Sequence, residues 1–136
     1  MKRLFILLAI IASMAIGTAN AQTYAYRTTA FAMKQINSYG NWSNWSDWEK
    51  SDMLITINLD TDVIKIYSPM TQIYQIIKYV GSYQDSSGGT QVEYKFVDQD
   101  DDIGTLRLRK ERNGNIQIYV DFSNIMWVYN VVKINL

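Results

Sequence analysis

The chain has no cysteine, no histidine and a single proline. Without cysteine it can form no disulfide framework and offers no thiol nucleophile. Without histidine it has no Ser-His-Asp triad, no Cys-His pair and no imidazole for zinc. Chemistry would be left to carboxylates, Lys, Tyr, Ser and Thr, and no cofactor is implied. Stability in an oxidising compartment then has to come from packing. Excess charge is also missing: 13 basic residues balance 13 acidic ones with no basic block, so nucleic acid is not an expected partner. What the chain does have is Ile, Val, Thr, ten Tyr and four Trp, residue types that suit a pleated, half-buried surface.

The N-terminus reads Met1-Lys2-Arg3, then an apolar run from Leu4 to Ile11, then Ala19-Asn20-Ala21. A positive start, a short apolar stretch and a small-x-small site are the three parts of an export signal. A spanning helix needs about 20 apolar residues, more than this run supplies. The sequence therefore predicts a leader over 1–21, cleaved to leave Gln22 at the head of one domain over 22–136. It predicts an exported protein, in the periplasm, at the cell surface or outside the cell. Losing Lys2 and Arg3 leaves a mildly acidic chain, and no later segment is apolar and long enough to predict a membrane span. About 115 residues is ample for one domain with a real core.

From residue 53 onward the pattern alternates with a period of two. Met53, Ile55, Ile57 and Leu59 share a face, Asp60-Thr61-Asp62 turns the chain, and Ile64 and Ile66 bring it back as a hairpin. Ser68-Pro69 is a breaker. Residues 72–80 predict a strand with Ile73, Ile77 and Tyr79 on one face and Tyr74, Ile76 and Val80 on the other. Val92, Tyr94 and Phe96, then Leu106 and Leu108, alternate with more polar residues on either side of an acidic turn. Asn113-Gly114 predicts a tight hairpin with both residues at positive φ. Ile116, Ile118, Val120 and Phe122 face away from Gln117, Tyr119 and Asp121. Ile125 to Ile134 is largely apolar on both faces, as a strand with two neighbours would be. An opening strand covers about residues 24–33, and Met33 to Ser38 fits a single helical turn. The expected fold class is all-β: an antiparallel up-and-down meander of about eight strands, a small closed or partly open barrel. A two-layer sandwich is the alternative.

The unusual stretch is Tyr39-Gly40-Asn41-Trp42-Ser43-Asn44-Trp45-Ser46-Asp47-Trp48. A Trp spacing of three fits neither a strand nor a full helix. It suits an extended or 3₁₀-like loop that shows its rings on one side. Tyr39, Trp42, Trp45 and Trp48 are the candidate ligand-binding residues, since rigid amphipathic rings are enriched at binding surfaces and the intervening Asn, Ser and Asp suit stacking on sugars. The plainer expectation is that the loop caps an open end of the barrel and the rings belong to the core.

Trp42-Ser43-Asn44-Trp45-Ser46-Asp47-Trp48 is similar to the W-S-x-W-S-x-W run of thrombospondin type 1 repeats, and its first five residues resemble the W-S-x-W-S box of cytokine receptors. Thrombospondin repeats depend on disulfides that this chain cannot form. Gly40-Asn41-Trp42 resembles the G-x-W signature of lipocalins. That likeness implies a barrel with Trp42 plugging one end and Arg107, Arg109 or Arg112 as its partner. It also implies that G-x-W opens the first strand, whereas here a strand-like run precedes it. As a whole the chain resembles the small exported proteins of host-associated Gram-negative bacteria, with a lipocalin-like or avidin-like barrel.

Asp98, Asp100 and Asp102 alternate as calcium ligands do, but the EF-hand places for Gly and Glu hold Ile103 and Arg109. A solvated turn is the expected reading and no metal site is predicted, with weak calcium binding at the tip as the alternative. Glu49, Asp52, Glu93 and Glu111 are the carboxylates from which a glycosidase-like pair would have to come, and nothing in their spacing makes them converge. The sequence thus points to a non-enzymatic binding module. Its expected partner is a small apolar ligand or a glycan at an aromatic-lined barrel mouth. Its alternatives are a protein-interaction or inhibitor domain that uses exposed aromatics, and a structural subunit. A ligand barrel requires a deep lumen; an interaction domain requires a filled one.

Overall fold

The computed structural model describes residues 23–135, and the expected leader lies outside the described residues. The strands are β1 (Thr23–Gln35), β2 (Glu49–Lys50), β3 (Leu54–Asn58), β4 (Val63–Tyr67), β5 (Gln72–Gln84), β6 (Thr90–Val97), β7 (Ile103–Lys110), β8 (Ile116–Asp121) and β9 (Ile125–Ile134). Each of the eight longer strands pairs antiparallel with its sequence neighbour, and β1 also pairs with β9. The sheet is thereby a closed eight-stranded up-and-down barrel, with β2 as an extra strand on β1. Closure removes the exposed edges of an open sheet wherever neighbouring strands overlap. It accounts for β9, whose neighbours are β8 on one side and β1 on the other.

The inward residues of each strand fill the lumen. Ile55, Ile57, Ile64, Ile66, Phe96, Leu106, Ile118 and Val120 are fully buried, and Tyr26, Tyr74 and Tyr129 pack among them. One end of the barrel carries the turns at 68–71, 98–102 and 122–124; this is the upper end. It is closed by an aromatic plug. Tyr74 stacks on Phe96 at 4.2 Å, Phe122 stands edge-on to both, and Trp127 lies 5.7 Å from Phe122.

Three local expectations are corrected. Residues 33–35 continue β1 as strand, because their amides and carbonyls have partners on β9 and on the Trp loop; a helical turn there would forfeit them. At Asn113-Gly114 only Gly114 has positive φ. The loop is longer than a two-residue hairpin, closed by Glu111 N–H to Asn115 O and Gly114 N–H to Glu111 O, with Asn113 Oδ1 accepting from Asn115 N–H. β5 runs on to Gln84 and carries two bulges, at Ile77 and Val80, against β6. Each bulge inserts one residue and resets the alternation, so Tyr79 shares the inward face of its partner Tyr94 and Lys78 faces out beside Lys95.

The β3–β4 hairpin is short, and this shapes the wall. β3 covers only Thr23–Arg27 of β1, and β4 covers only Gln72–Gln75 of β5. The upper half of β1 and the lower half of β5 thus extend beyond it. The first is covered by β2 and the Trp loop. Against the second, no strand is paired among the described residues.

Candidate functional site

The Trp loop runs down the upper half of β1 in a register of three residues for two. Ser43 N–H donates to Gln35 O at 2.8 Å, and Ser43 Oγ accepts from Gln35 N–H at 3.1 Å. Ser46 N–H donates to Met33 O at 2.8 Å, and Ser46 Oγ accepts from Met33 N–H at 2.9 Å. Glu49 then pairs with Phe31 in the ordinary way. Each serine replaces a whole ladder partner, with its amide as donor and its hydroxyl as acceptor, so the backbone of β1 stays satisfied. The spacing of three follows: one residue per repeat is in register, and the Trp before it is always on the same footing.

These rings lie on the outer wall. By register, Ala30, Ala32 and Lys34 of β1 face outward beside Asn130, Val128 and Met126 of β9. Lys34 Nζ sits 5.6 Å from the Trp42 ring and 4.8 Å from the Trp45 ring, an arrangement stabilised by cation–π attraction. The Trp45 ring reaches across β1 and β9 to meet Tyr119 of β8 edge-on at 6.2 Å. Arg107 of β7 lies over the ring of that tyrosine, 4.1 Å from its centroid, and is held by a bidentate pair to Asp121, at 2.5 and 3.1 Å. The result is one ladder across four elements: Trp42, Lys34, Trp45, Tyr119, Arg107. Beneath it Ala32 and Val128 are only 1% and 3% exposed although they face away from the lumen.

Trp42, Trp45 and Trp48 keep 37%, 39% and 49% of their surface exposed. Tyr39 is exposed at the tip of the preceding turn, where Asn37 Oδ1 accepts from the amides of Tyr39 and Asn41, and no ring contact joins it to the three Trp among the described residues. Arg107, Arg109 and Arg112 do not meet Trp42. Arg107 enters the ladder at its far end, and Arg109 is taken by Asp85 and Glu111, both at 2.9 Å. The plug role falls to Trp127. Lys34 and Tyr119 were missed from the sequence. Their signal is Ala30-x-Ala32-x-Lys34, a run of small outward residues that leaves a trough for a ring.

The acidic residues remain apart. Asp98 Oδ1 accepts from the amides of Asp100 and Asp102, which builds a hairpin turn with Asp101 at positive φ. Among the described residues no group of three or more acidic side chains is placed to hold a metal ion. Glu49 lies on β2, and Asp52 pairs with Arg27 at 3.0 Å. Glu93 accepts from Tyr83 and Gln91, and Glu111 from Arg109. Burial pushes the Tyr119 phenol pKa up, with Arg107 and Arg109 acting against it, so the phenol stays neutral and donates to Gln117 Oε1 at 2.9 Å.

Fold and site together define a small antiparallel barrel with a filled lumen and an aromatic–cationic ladder on its outside. No family model, no curated protein and no solved structure matches the chain.

Proposed function

We propose that the protein is an exported, non-enzymatic binding module that meets its partner with the outer wall of the barrel. The observation that carries this is the exposed half of Trp42, Trp45 and Trp48, held in place by the serine ladder and Lys34. Rigid aromatic anchors next to a fixed arginine are the residue types that dominate protein interfaces. The filled lumen speaks against a deep-seated apolar ligand. A glycan is the second reading, favoured by Asn41, Asn44 and Asp47 interleaved with the rings.

The test follows the three wall indoles by acrylamide quenching in a Trp127→Phe variant, which removes the plug indole. Panels of glycans, of purified envelope and extracellular proteins, and of fatty-acid-like ligands are added. Shielding by a protein or a glycan, lost in Trp42→Ala and Trp45→Ala, is the expected result. Binding of a fatty-acid-like ligand with the wall indoles still quenchable would overturn the proposal.

A further inference from the structure

The lower half of β5 is the one long run of the barrel wall with a single strand neighbour among the described residues. β4 stops at Val63, where the carbonyl of Asp62 accepts from Ile76 N–H at 2.7 Å and from Gln75 Nε2 at 2.9 Å. Beyond that point β5 pairs only with β6. Ile77, Tyr79, Val80 and Tyr83 are each about half exposed there. Beside them lies a pocket of about 420 Å³ whose lining includes Leu59, Ile76, Tyr79 and Tyr94, with Asp62 and Lys78 at its polar side. Tyr79 and Tyr94 meet at 5.7 Å and form its aromatic wall.

The outer face of the same run carries a charge conflict. Lys78 and Lys95 are directly opposite in the β5–β6 register, both exposed, and neither has an acidic partner among the described residues. Like charges in that position repel. The acid on the β6 side, Glu93, is occupied by Tyr83 and Gln91.

We infer that β5 between Ile77 and Gln84 is a strand-addition site for an extended, acidic peptide segment of a partner protein. A strand laid along this edge continues the line of β4 and satisfies the free amides and carbonyls of β5. Its residue opposite Lys78 shares the outer face, where a carboxylate relieves the lysine pair. Its residue opposite Tyr79 shares the pocket face, where a branched apolar side chain fits. The partner pattern is therefore alternating acidic and apolar. A second copy of this chain is the poorer occupant, because two-fold pairing of the edge gathers both lysine pairs at one seam. The site is separate from the Trp ladder and stands or falls without it.

The experiment is fluorescence anisotropy of the purified protein with a fluorescein-labelled ten-residue peptide of alternating Glu and Val. Comparators are the Lys-Val peptide and a Glu-Val peptide N-methylated at alternate amides. Saturable, salt-sensitive binding of the Glu-Val peptide is expected. The Lys-Val peptide should bind about tenfold more weakly, the weight of a few cross-strand charge pairs, and the N-methylated one not at all. Lys78→Gln with Lys95→Gln should erase the discrimination, Lys78→Glu with Lys95→Glu should invert it, and Trp45→Ala should leave it unchanged; circular dichroism confirms that each variant is folded. No binding, equal binding of the two charge types, or indifference to N-methylation overturns the inference. So does a concentration-dependent dimer in light scattering that Val80→Pro dissociates, which would give the edge to a second copy.

Discussion

Gly104 stands opposite Phe96 in the β6–β7 ladder, and the ring of Phe96 lies over it. A Cβ built there would come within 2.6 Å of Phe96 Cζ and 2.9 Å of the carbonyl oxygen of Asp121. Phe96 is itself clamped by Tyr74 and Phe122, so it has little room to give. Gly104→Ala should cost about 1–3 kcal/mol, the usual range for overpacking, measured as a lower urea midpoint at unchanged slope. Asp85 makes a different residue-scale prediction. Hydrogen bonds from the Ser87 hydroxyl, then the Gly89 amide and Arg109, outweigh burial and hold its carboxyl pKa at about 2. A depressed carboxyl pKa stabilises the fold fully above the ordinary aspartate range near pH 4 and loses that contribution as pH falls towards about 2. Asp85→Asn should therefore lower stability at neutral pH and flatten the acid-unfolding curve between those limits.

Among the elements, the Trp loop is held to β1 by serine side chains standing in for backbone. Ser46→Ala leaves the Met33 amide without its acceptor, at a cost of about 1 kcal/mol. Trp45→Ala uncovers Ala32 and Val128 and should cost more, about 2 kcal/mol, given that the ring is only partly buried. Differential scanning calorimetry of the two variants checks the order. The regular strands were legible in the sequence because alternation reports a half-buried pleat: β3, β4, β6, β7 and β8 all follow it, and β9 was legible as a continuous apolar run. β5 was misread past Ile76, since each bulge shifts the alternation by one residue and the sequence carries no mark of where. The Trp repeat was visible as a spacing but not as a place. Its position depends on β1 extending past β3, a consequence of strand lengths elsewhere in the wall. Trp127 went unnoticed for a related reason: in a strand apolar on both faces, nothing local says which ring closes the barrel.

For the whole molecule, closure by the first and last strands sets the folding problem. Ala25 pairs with Ile134 and Gln35 with Ile125, so the barrel shuts only when nearly the whole chain is in hand. Pairings of such sequence separation are slow to form, and refolding from urea should take milliseconds to seconds with one cooperative transition in equilibrium melts. The filled lumen makes a second global prediction. Burial raises the phenol pKa values of Tyr26 and Tyr129 to about 12 and pushes Tyr74 up further. A raised phenol pKa leaves stability intact below about pH 10 and removes it as pH climbs towards about 12. Ionisation of these phenols, followed by absorbance near the phenolate band, should coincide with loss of the β-sheet circular dichroism signal.

The three-for-two register of the Trp loop makes it a unit that can be copied. A strand tolerates insertions only in pairs, since one added residue turns every later side chain to the other face. The loop tolerates them in threes. One more Trp-Ser-Asn triplet, matched by two more residues on β1, adds one indole to the same side of the wall and one serine to the same seam. The length of the aromatic strip is thus a property that can change in whole rungs, without disturbing the barrel that carries it.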